Sequence, residues 1–581
     1  MSDNYEFMKT SEAQDATDYS PYSDKQYNNY INDINNGVYT NNSLTLVNFD
    51  LGQIYNSQKF TETSELFAVL PIAMVAGFST NAAGGTLINP TSKSQALCTI
   101  KSNFLNLIHQ ADVVVNGRSI EQCQPFINIA RHFQLISEMS VNDLATLGHS
   151  LGFSPTLDNT KSAKYQSTYA STAGGSGNGY TNNRVFSSSS DNQTSPGDAN
   201  ASTGNTANQY KVGRYVDITN TTGQGIYGTT NTLMTGTQIQ NEFRPYYTTA
   251  NGYMVWHDFA VIKLNFLFES LNKIGLTKKL DAQLRLWVNT GTVMVRVDGA
   301  DGSNLAYNMT PADNTFSNTC PMLVNYQSSG SAGGSIVPIA TKAIVAGLYI
   351  KQPPVTSFAC LNLAASSVQH PLTNCRLYYS SITVDTEKAV DYVQRNRNKK
   401  VIFRSFVTNS YNNIGTGSSF NALVNSGITH PTGILICPFI AATTGAQSGF
   451  GDYQWKSPFD TCPATMSPLS LINLQVGIGG QNVLNSTLSM TYENFLQQVN
   501  LAEQLTSSDF GVSTGLISQG YWEQSKWYFV NVERGNIGDK LQPRNINVSF
   551  NNNSNVPIDV IIFTFYNDQL EIDVETGIVT K

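Results

Sequence analysis

The stretch Leu469–Val499 decides how the chain is read. It runs Leu469-Ser-Leu-Ile-Asn-Leu-Gln-Val-Gly-Ile-Gly-Gly-Gln-Asn482. After a short polar connection it continues Tyr492-Glu-Asn-Phe-Leu-Gln-Gln-Val499. Leu474, Val476 and Ile478 alternate with polar or small residues, the two-residue period of a half-buried strand. Gly479-Gly480 supplies the positive φ that a tight turn demands. Tyr492, Phe495, Leu496 and Val499 then fall at helical spacing. The unit reads as strand, glycine turn, short amphipathic helix.

The same unit occurs earlier. Ala111, Val113 and Val115 alternate, Asn116-Gly117 is a hairpin-turn dipeptide, and Phe126, Ile129, Phe133 and Ile136 follow at helical spacing. Gly117 and Gly480 lie too far apart for a solenoid repeat. The recurrence fits two large domains on one plan; unrelated β domains sharing strand-turn-helix pieces is the other reading. A length of 581 residues already requires at least two cores.

Composition narrows the class. Charged residues make up 13% of the chain, about half the usual share, and Asn, Ser, Thr, Gly and Gln fill the balance. A weakly charged surface of amides and hydroxyls costs little to desolvate against another like it, which suits self-assembly or an extracellular β-rich adhesin. The net charge is −7, which argues against binding nucleic acid through basic arms. Residues 1–40 carry seven acidic residues against Lys9 and Lys25, a net of −5, with six tyrosines. They read as an extended acidic arm. No secretory signal is expected behind Met1, and the longest apolar stretch, Leu66–Phe78, is too short to span a bilayer. Cys98, Cys123, Cys320, Cys360, Cys375, Cys437 and Cys462 show no metal spacing and read as reduced, mostly buried thiols.

Along the chain, Ser43–Leu51 opens the first β region, with a change of hydrophobic phase between Leu46 and Val47 that a bulge would explain. Leu66–Val75 reads as a strand covered on both faces. Helical pieces are expected over 125–139 and 141–147. Residues 154–210 are a polar, low-complexity surface insertion, readable as a plain loop or an exposed crown. Strands return at Ile262–Leu267, Leu284–Asn289, Met294–Val297, Val401–Val407, Gly433–Ile440, Gln542–Phe550 and Pro557–Tyr566, with a helical turn at Glu387–Tyr392. Short strands with Gly and Asn turns point to antiparallel sandwiches.

No residue carries chemistry by its pattern. Gly148-His149-Ser150-Leu151-Gly152 matches the nucleophile elbow, but helical residues precede the serine where a strand is needed; a glycine-terminated helix fits better. Gly415-Thr-Gly-Ser-Ser and Gly477-Ile-Gly-Gly lack the Lys-Ser/Thr of a phosphate loop. His109, His132, His149, His257, His370 and His430 are scattered. We therefore expect no catalytic, cofactor-binding or metal residues, and no enzyme. Arg395, Arg397, Lys399, Lys400 and Arg404 form one basic cluster, readable as a solvated face or as a contact for an acidic neighbour such as the arm.

Further segments add a resemblance. Ser457-Pro-Phe-Asp-Thr-Cys-Pro-Ala-Thr-Met-Ser-Pro-Leu469, the Gly479-Gly-Gln-Asn482 turn and Tyr492-Glu-Asn-Phe-Leu496 belong to it. So do Arg376-Leu-Tyr-Tyr-Ser-Ser-Ile-Thr383, Ser419–Thr429, Gly433–Ile440 and Asp573-Val-Glu-Thr-Gly577, with Pro21–Tyr27, Leu44–Leu51 and Asn116-Gly117 in the first half. Together these segments resemble the double jelly-roll major capsid proteins of polinton-like viruses, adintoviruses and virophages. The likeness covers roughly residue 20 to the end, except 154–210.

The resemblance implies an all-β chain of two tandem eight-stranded jelly rolls, with short helices and long surface loops. After an arm at 1–40, the rolls would occupy 41–372 and 373–581. It implies a homotrimer forming a pseudo-hexameric capsomer, an icosahedral shell around double-stranded DNA, and a location in the virion after assembly inside the host cell. The partners would be the chain itself, a penton protein and minor capsid or cement proteins, with no specific nucleic-acid site; membrane contact is left open. The other classes are a receptor-binding or adhesin-type β protein of a virion surface and, through Ser150, a serine hydrolase.

Overall fold

The computed structural model describes residues 22–39, 44–55, 59–79, 87–88, 97–100, 103–115, 117–121, 124–152, 165–166, 179–180, 216–217, 246–250, 253–298, 308–311, 322–325, 343–351, 374–441, 469–501, 514–524, 526–533 and 543–580. Among the described residues, eight of the strands in the first half frame its sandwich: β1 (Tyr22–Asn32), β2 (Leu44–Asp50), β3 (Phe67–Ser79), β4 (Ile108–Val115), β5 (Arg118–Glu121), β6 (Tyr253–Lys263), β7 (Ala282–Asn289) and β8 (Arg376–Val384). They pair antiparallel as β1-β8-β3-β6 and β2-β7-β4-β5. Eight more build the second: β9 (Lys399–Ile414), β10 (Ser419–Asn425), β11 (Pro431–Ile440), β12 (Leu471–Ile478), β13 (Gln481–Asn482), β14 (Tyr528–Asn531), β15 (Ile546–Asn552) and β16 (Ile558–Ile572). These pair as β9-β16-β11-β14 and β10-β15-β12-β13. Each half thus places its first strand beside its eighth, then third, then sixth; the other sheet runs second, seventh, fourth, fifth. That order, repeated, is a jelly roll built twice. The upper part of β3 is longer than β8 can cover, so Ala343–Ile350 takes over its edge and pairs in turn with Gly291–Asp298.

Side-chain alternation gives each sandwich its core. In β7, Ala282, Leu284, Leu286 and Val288 are buried while Gln283, Arg285 and Trp287 are half-buried, as a sheet with one wet face requires. β12 changes phase between Leu471 and Leu474. A register shift there, with Asn473 at φ 54°, is the bulge that returns both leucines to the same interior. β2 does the opposite of what its sequence suggests. It pairs with β7 without a register shift, burying Thr45, Val47 and Phe49 and leaving Leu46 exposed. The expected bulge is absent because Thr45, bonded to Thr290 at 2.7 Å, takes the inward position.

The repeated unit sits at equivalent points of the two rolls. Gly117 joins β4 to β5, and Gly479-Gly480 joins β12 to β13, all at positive φ. Each glycine turn therefore closes a hairpin of the fourth and fifth strands. The helix follows later: α1 (Ile127–Glu138), succeeded by α2 (Val141–Leu151), in the first roll, and α5 (Tyr492–Leu501) in the second. Two shorter helices matter below, α3 (Glu269–Ile274) and α4 (Thr386–Arg395).

Three other expectations change. Tyr22–Asn32, assigned to the arm, is β1 and pairs along β8; its polar sequence hides a strand because one face stays wet. Arg376–Val384, expected to open the second half, pairs with β1 and β3 of the first roll. The strand expected over Ile262–Leu267 stops at Lys263, and Leu264–Leu267 is helical. The insertion at 154–210 lies outside the described residues, apart from the pairing of Tyr165–Gln166 with Gly179–Tyr180.

Candidate functional site

α1 links the two rolls. Eleven of its twelve residues, Ile127–Ser137, are buried, although it stands in the first roll's connection. Only contact with a second body can cover a helix all round. Phe133 meets the rings of Trp527 at 5.1 Å, Phe529 at 5.9 Å and Phe495 at 6.3 Å, all from the second roll. The guanidinium of Arg131 lies 5.5 Å from the ring of Phe406 on β9, a cation–π contact. The Leu516 amide donates to the carbonyl of Ile136 at 2.8 Å, satisfying an end of the helix that has no internal partner.

This docking explains the continuous apolar runs of the second roll. Ile434–Cys437 and Val560–Phe563 are buried on every residue because the sheet β9-β16-β11-β14 faces its own sandwich on one side and α1 on the other. The edge of β9 is also covered. Its Thr408 and Arg404 amides donate to Gln124 Oε1 at 3.1 Å and Glu269 Oε2 at 3.0 Å, which removes pairing groups that an open edge would offer.

A polar network lies beside the aromatic contact. Arg131 bonds Glu121 at 2.8 Å and Gln134 at 2.7 Å, and Glu121 accepts from the Ser270 hydroxyl at 2.6 Å. Burial pushes the Glu121 carboxyl up, opposed by Arg131 and Ser270. Such a pair adds little net stability, since desolvation offsets attraction, but it penalises any other docking of α1. The network backs a cleft of about 550 Å³ lined by residues including Arg131, Glu138, Glu269, Lys273 and Arg404. Three cations and two carboxylates nearly balance, so the cleft has no strong preference for a charged ligand.

Glu138 is the one residue of α1 that reaches solvent. Its carboxyl is nevertheless recessed; loss of water pushes it up to about 7, with Glu269 adding to the rise and Arg404 and Arg131 opposing it. Its folded form holds a proton that the unfolded chain releases near 4.5. The stability this adds is complete below about 4.5 and is lost as pH rises through about 7. Solvent screening keeps the effect small. Glu138→Gln is expected to flatten the fall in melting temperature across that window. Equal slopes for the variant and the parent would show that another group titrates there.

The junction is closed elsewhere by α4 and the C-terminal turn. Tyr392, Phe60, Leu276, Ile382 and Val574 form a second, smaller core. The Tyr392 hydroxyl donates to Leu276 O at 2.8 Å. The Lys278 amide donates to Val574 O at 3.3 Å, fastening the Asp573–Gly577 turn onto the first roll.

The other sequence candidates do not converge. Ser150 lies in α2 and donates to Leu147 O at 2.8 Å, with Gly152 ending the helix at φ 83° against the Phe104 ring; it occupies no strand-to-helix elbow. The basic cluster disperses. Arg395 pairs with Asp391, Lys400 with Glu571, and Lys399 donates to the end of α3 at Ile274 O. Arg404 is buried against Glu269. Cys375 and Cys437 are buried free thiols; the side chains of the other five lie outside the described residues. Among the described residues no three His, Cys, Asp or Glu groups come together as a metal site, and no helix is long and apolar enough to cross a membrane.

No family model and no curated protein matches the chain. Solved structures similar along most of its length include a chain of the Sputnik virophage, at TM-score 0.48 and 10% identity, covering 98% of this chain and 90% of that one. The Faustovirus major capsid protein gives TM-score 0.43 and 10% identity over 96% and 92%. A chain of the PBCV-1 virus capsid gives 0.35 and 9% over 97% and 98%. The jelly-roll assignment rests on the strand order of this chain and not on these matches.

Proposed function

We propose that this chain is a viral major capsid protein, with its rolls at 22–384 and 399–580. Three copies form a pseudo-hexameric capsomer that tiles an icosahedral shell around double-stranded DNA. The observation that carries the reading is the duplication: two jelly rolls of one strand order, locked head to tail by a buried helix. A head-to-tail junction is heterologous, and heterologous contacts close a ring when the rotation from one unit to the next divides a full turn; the capsid reading takes it as a sixth of one. Three chains then present six similar rolls, which gives a hexagonal outline suited to tiling. The low charge suits a surface that meets many copies of itself. The double-stranded genome, a penton protein, minor or cement proteins and a place in the virion shell follow from the resemblance of the residue motifs. Residues 1–21, the acidic part ahead of β1, are the segment we assign to ties between capsomers. The role is structural and needs no active site. Electron microscopy of the purified chain is expected to show hexagonal three-chain blocks; monomers or slender fibres would favour the adhesin-type reading instead.

A further inference from the structure

Three long edge strands of the two sandwiches are each guarded against pairing with another chain. β1 carries Asp24 and Lys25 and two register shifts, between Tyr22 and Asp24 and between Gln26 and Asn29; charges and bulges both blunt an edge. The edge of β9 is capped by Gln124 and Glu269. The edge of β2 is capped by the loop that precedes it. There the Ile34 amide donates to Asn48 O at 2.8 Å, and Asn35 Nδ2 donates to Leu46 O at 2.6 Å. β10 holds the same place in the second roll, at the edge of β10-β15-β12-β13. Residues 33–43 precede β2, but only the turn Gly415–Ser418 precedes β10. That turn bonds back to Asn552 on β15, so it cannot lie over the edge. β10 itself, Ser419-Phe-Asn-Ala-Leu-Val-Asn425, has no charge and no proline. Its one register shift lies at its far end, between Leu423 and Asn425.

The groups on this edge can be named. The Tyr411 hydroxyl donates to Leu423 O at 3.4 Å, so that carbonyl faces away from β15. Antiparallel pairing alternates, so the N–H and C=O groups of Ser419 and Asn421 face the same way, while those of Phe420 and Ala422 face β15. Ser419, Asn421 and Leu423 are all exposed, Leu423 by 54%. The strand is braced from behind, where Phe420 stacks on Phe550 at 4.7 Å and meets Tyr411 at 4.9 Å. We infer that β10 is a β-augmentation site, which takes an extended, uncharged segment of a different polypeptide as a further strand of its sheet. The first roll shows the form of the cover: a short piece of extended chain that gives donors to the edge carbonyls. One bare strand is a small surface for a folded domain, but it suits a strap whose main chain supplies the affinity. Charge selects the segment. β10 is neutral, as are Asn547, Ser549 and Asn551, the residues of β15 paired with Leu423, Asn421 and Ser419. A charged strap would lose water there without gaining a partner, which disfavours the acidic residues 1–21 of this chain. Leu423 favours an apolar residue beside it. The site follows from the edge alone and holds whether or not the chain builds shells.

The probe is a synthetic, end-capped peptide with the sequence of β15, Ile546–Asn552, which is uncharged and already complementary to β10. Amide exchange of the full-length chain is read residue by residue, by mass spectrometry with fragmentation. Without peptide, Ser419, Asn421 and Leu423 should exchange fast, and Phe420 and Ala422, bonded to β15, slowly. With peptide at about ten times its Kd, the first three should slow about tenfold and the other two stay as they were. Asn421→Pro removes one edge N–H, and proline is tolerated where that group faces solvent. The variant should keep its thermal unfolding transition and lose the slowing. No slowing in the parent, or equal slowing in Asn421→Pro, overturns the site. Slow exchange of the three edge amides in the peptide-free chain also overturns it. Slowness at every chain concentration would put another part of the same chain on the edge, and slowness that grows with concentration would put a second copy there. The parent's three-against-two pattern needs no variant, so the test stands even if Asn421→Pro fails to fold.

Discussion

Phe133→Ala is expected to destabilise the two-roll block by about 3–5 kcal/mol, the cost of emptying a buried phenylalanine site. The upper part of that range applies because the surroundings have little freedom to collapse. Phe133 is fully buried against Trp527, Phe529 and Phe495, so the site is walled by the first roll on one side and by rings of the second on the other. Filling the space would require one roll to move against the other, which the contact of Arg131 with the Phe406 ring and that of Gln124 with β9 oppose. Urea unfolding followed by tryptophan fluorescence is suited to the measurement, since Trp527 lines the site and should also shift its emission as the cavity forms. A loss below about 1 kcal/mol would mean that α1 does not hold the rolls together.

The second large effect is at Gly577→Ala, with an expected loss of about 2–5 kcal/mol. Gly577 has φ 71°, and a side chain in the left-handed region costs about 1–2 kcal/mol. The added Cβ would also collide with the Lys279 carbonyl, its carbon lying 2.6 Å away and Leu280 Cα 3.1 Å away. These are backbone atoms of the first roll and cannot rotate aside, so an overpacking cost of about 1–3 kcal/mol is added. The expected signature is local. Amide exchange should quicken at residues 573–580 and 276–280 as the turn lifts, while β12 keeps its protection. Glu575→Ala, an exposed change in the same turn, should leave exchange unaltered. Faster exchange in Glu575→Ala, or none in Gly577→Ala, would show that the clasp is not the point of contact.

Much of this architecture is legible along the chain, and particular residues show why. Ala111, Val113 and Val115 alternate because one face of β4 is dry, and Asn116-Gly117 and Gly479-Gly480 mark hairpins because those turns need positive φ. The helix spacing of Phe126–Ile136 is equally readable. The full burial of α1 is not, because Asn128, Arg131, His132 and Gln134 look like a solvent face. They are buried because distant neighbours from both rolls close over them: Asn103 and Trp527 on His132, Glu121 and Phe406 on Arg131. The basic run from Arg395 to Arg404 misleads for the same reason. Local sequence cannot reveal that Glu571, Glu269 and the end of α3 arrive from elsewhere to take up its charges one at a time.

By itself the sequence determined what short-range physics controls: the antiparallel strand content, the glycine corners, the recurrence of the strand-turn-helix unit, the low charge and the want of a patterned catalytic motif. Tertiary structure alone decided which strands are neighbours. Tyr22–Asn32 and Arg376–Val384 close the first roll although more than three hundred residues separate them, because a jelly roll pairs its first strand with its last. Neither segment carries the other's address. Each carries a face that is half apolar, and the fold matches the faces. The same long-range matching covered the sheet of the second roll with α1 and left the rings of Tyr30, Tyr378 and Phe67 in the first roll facing solvent.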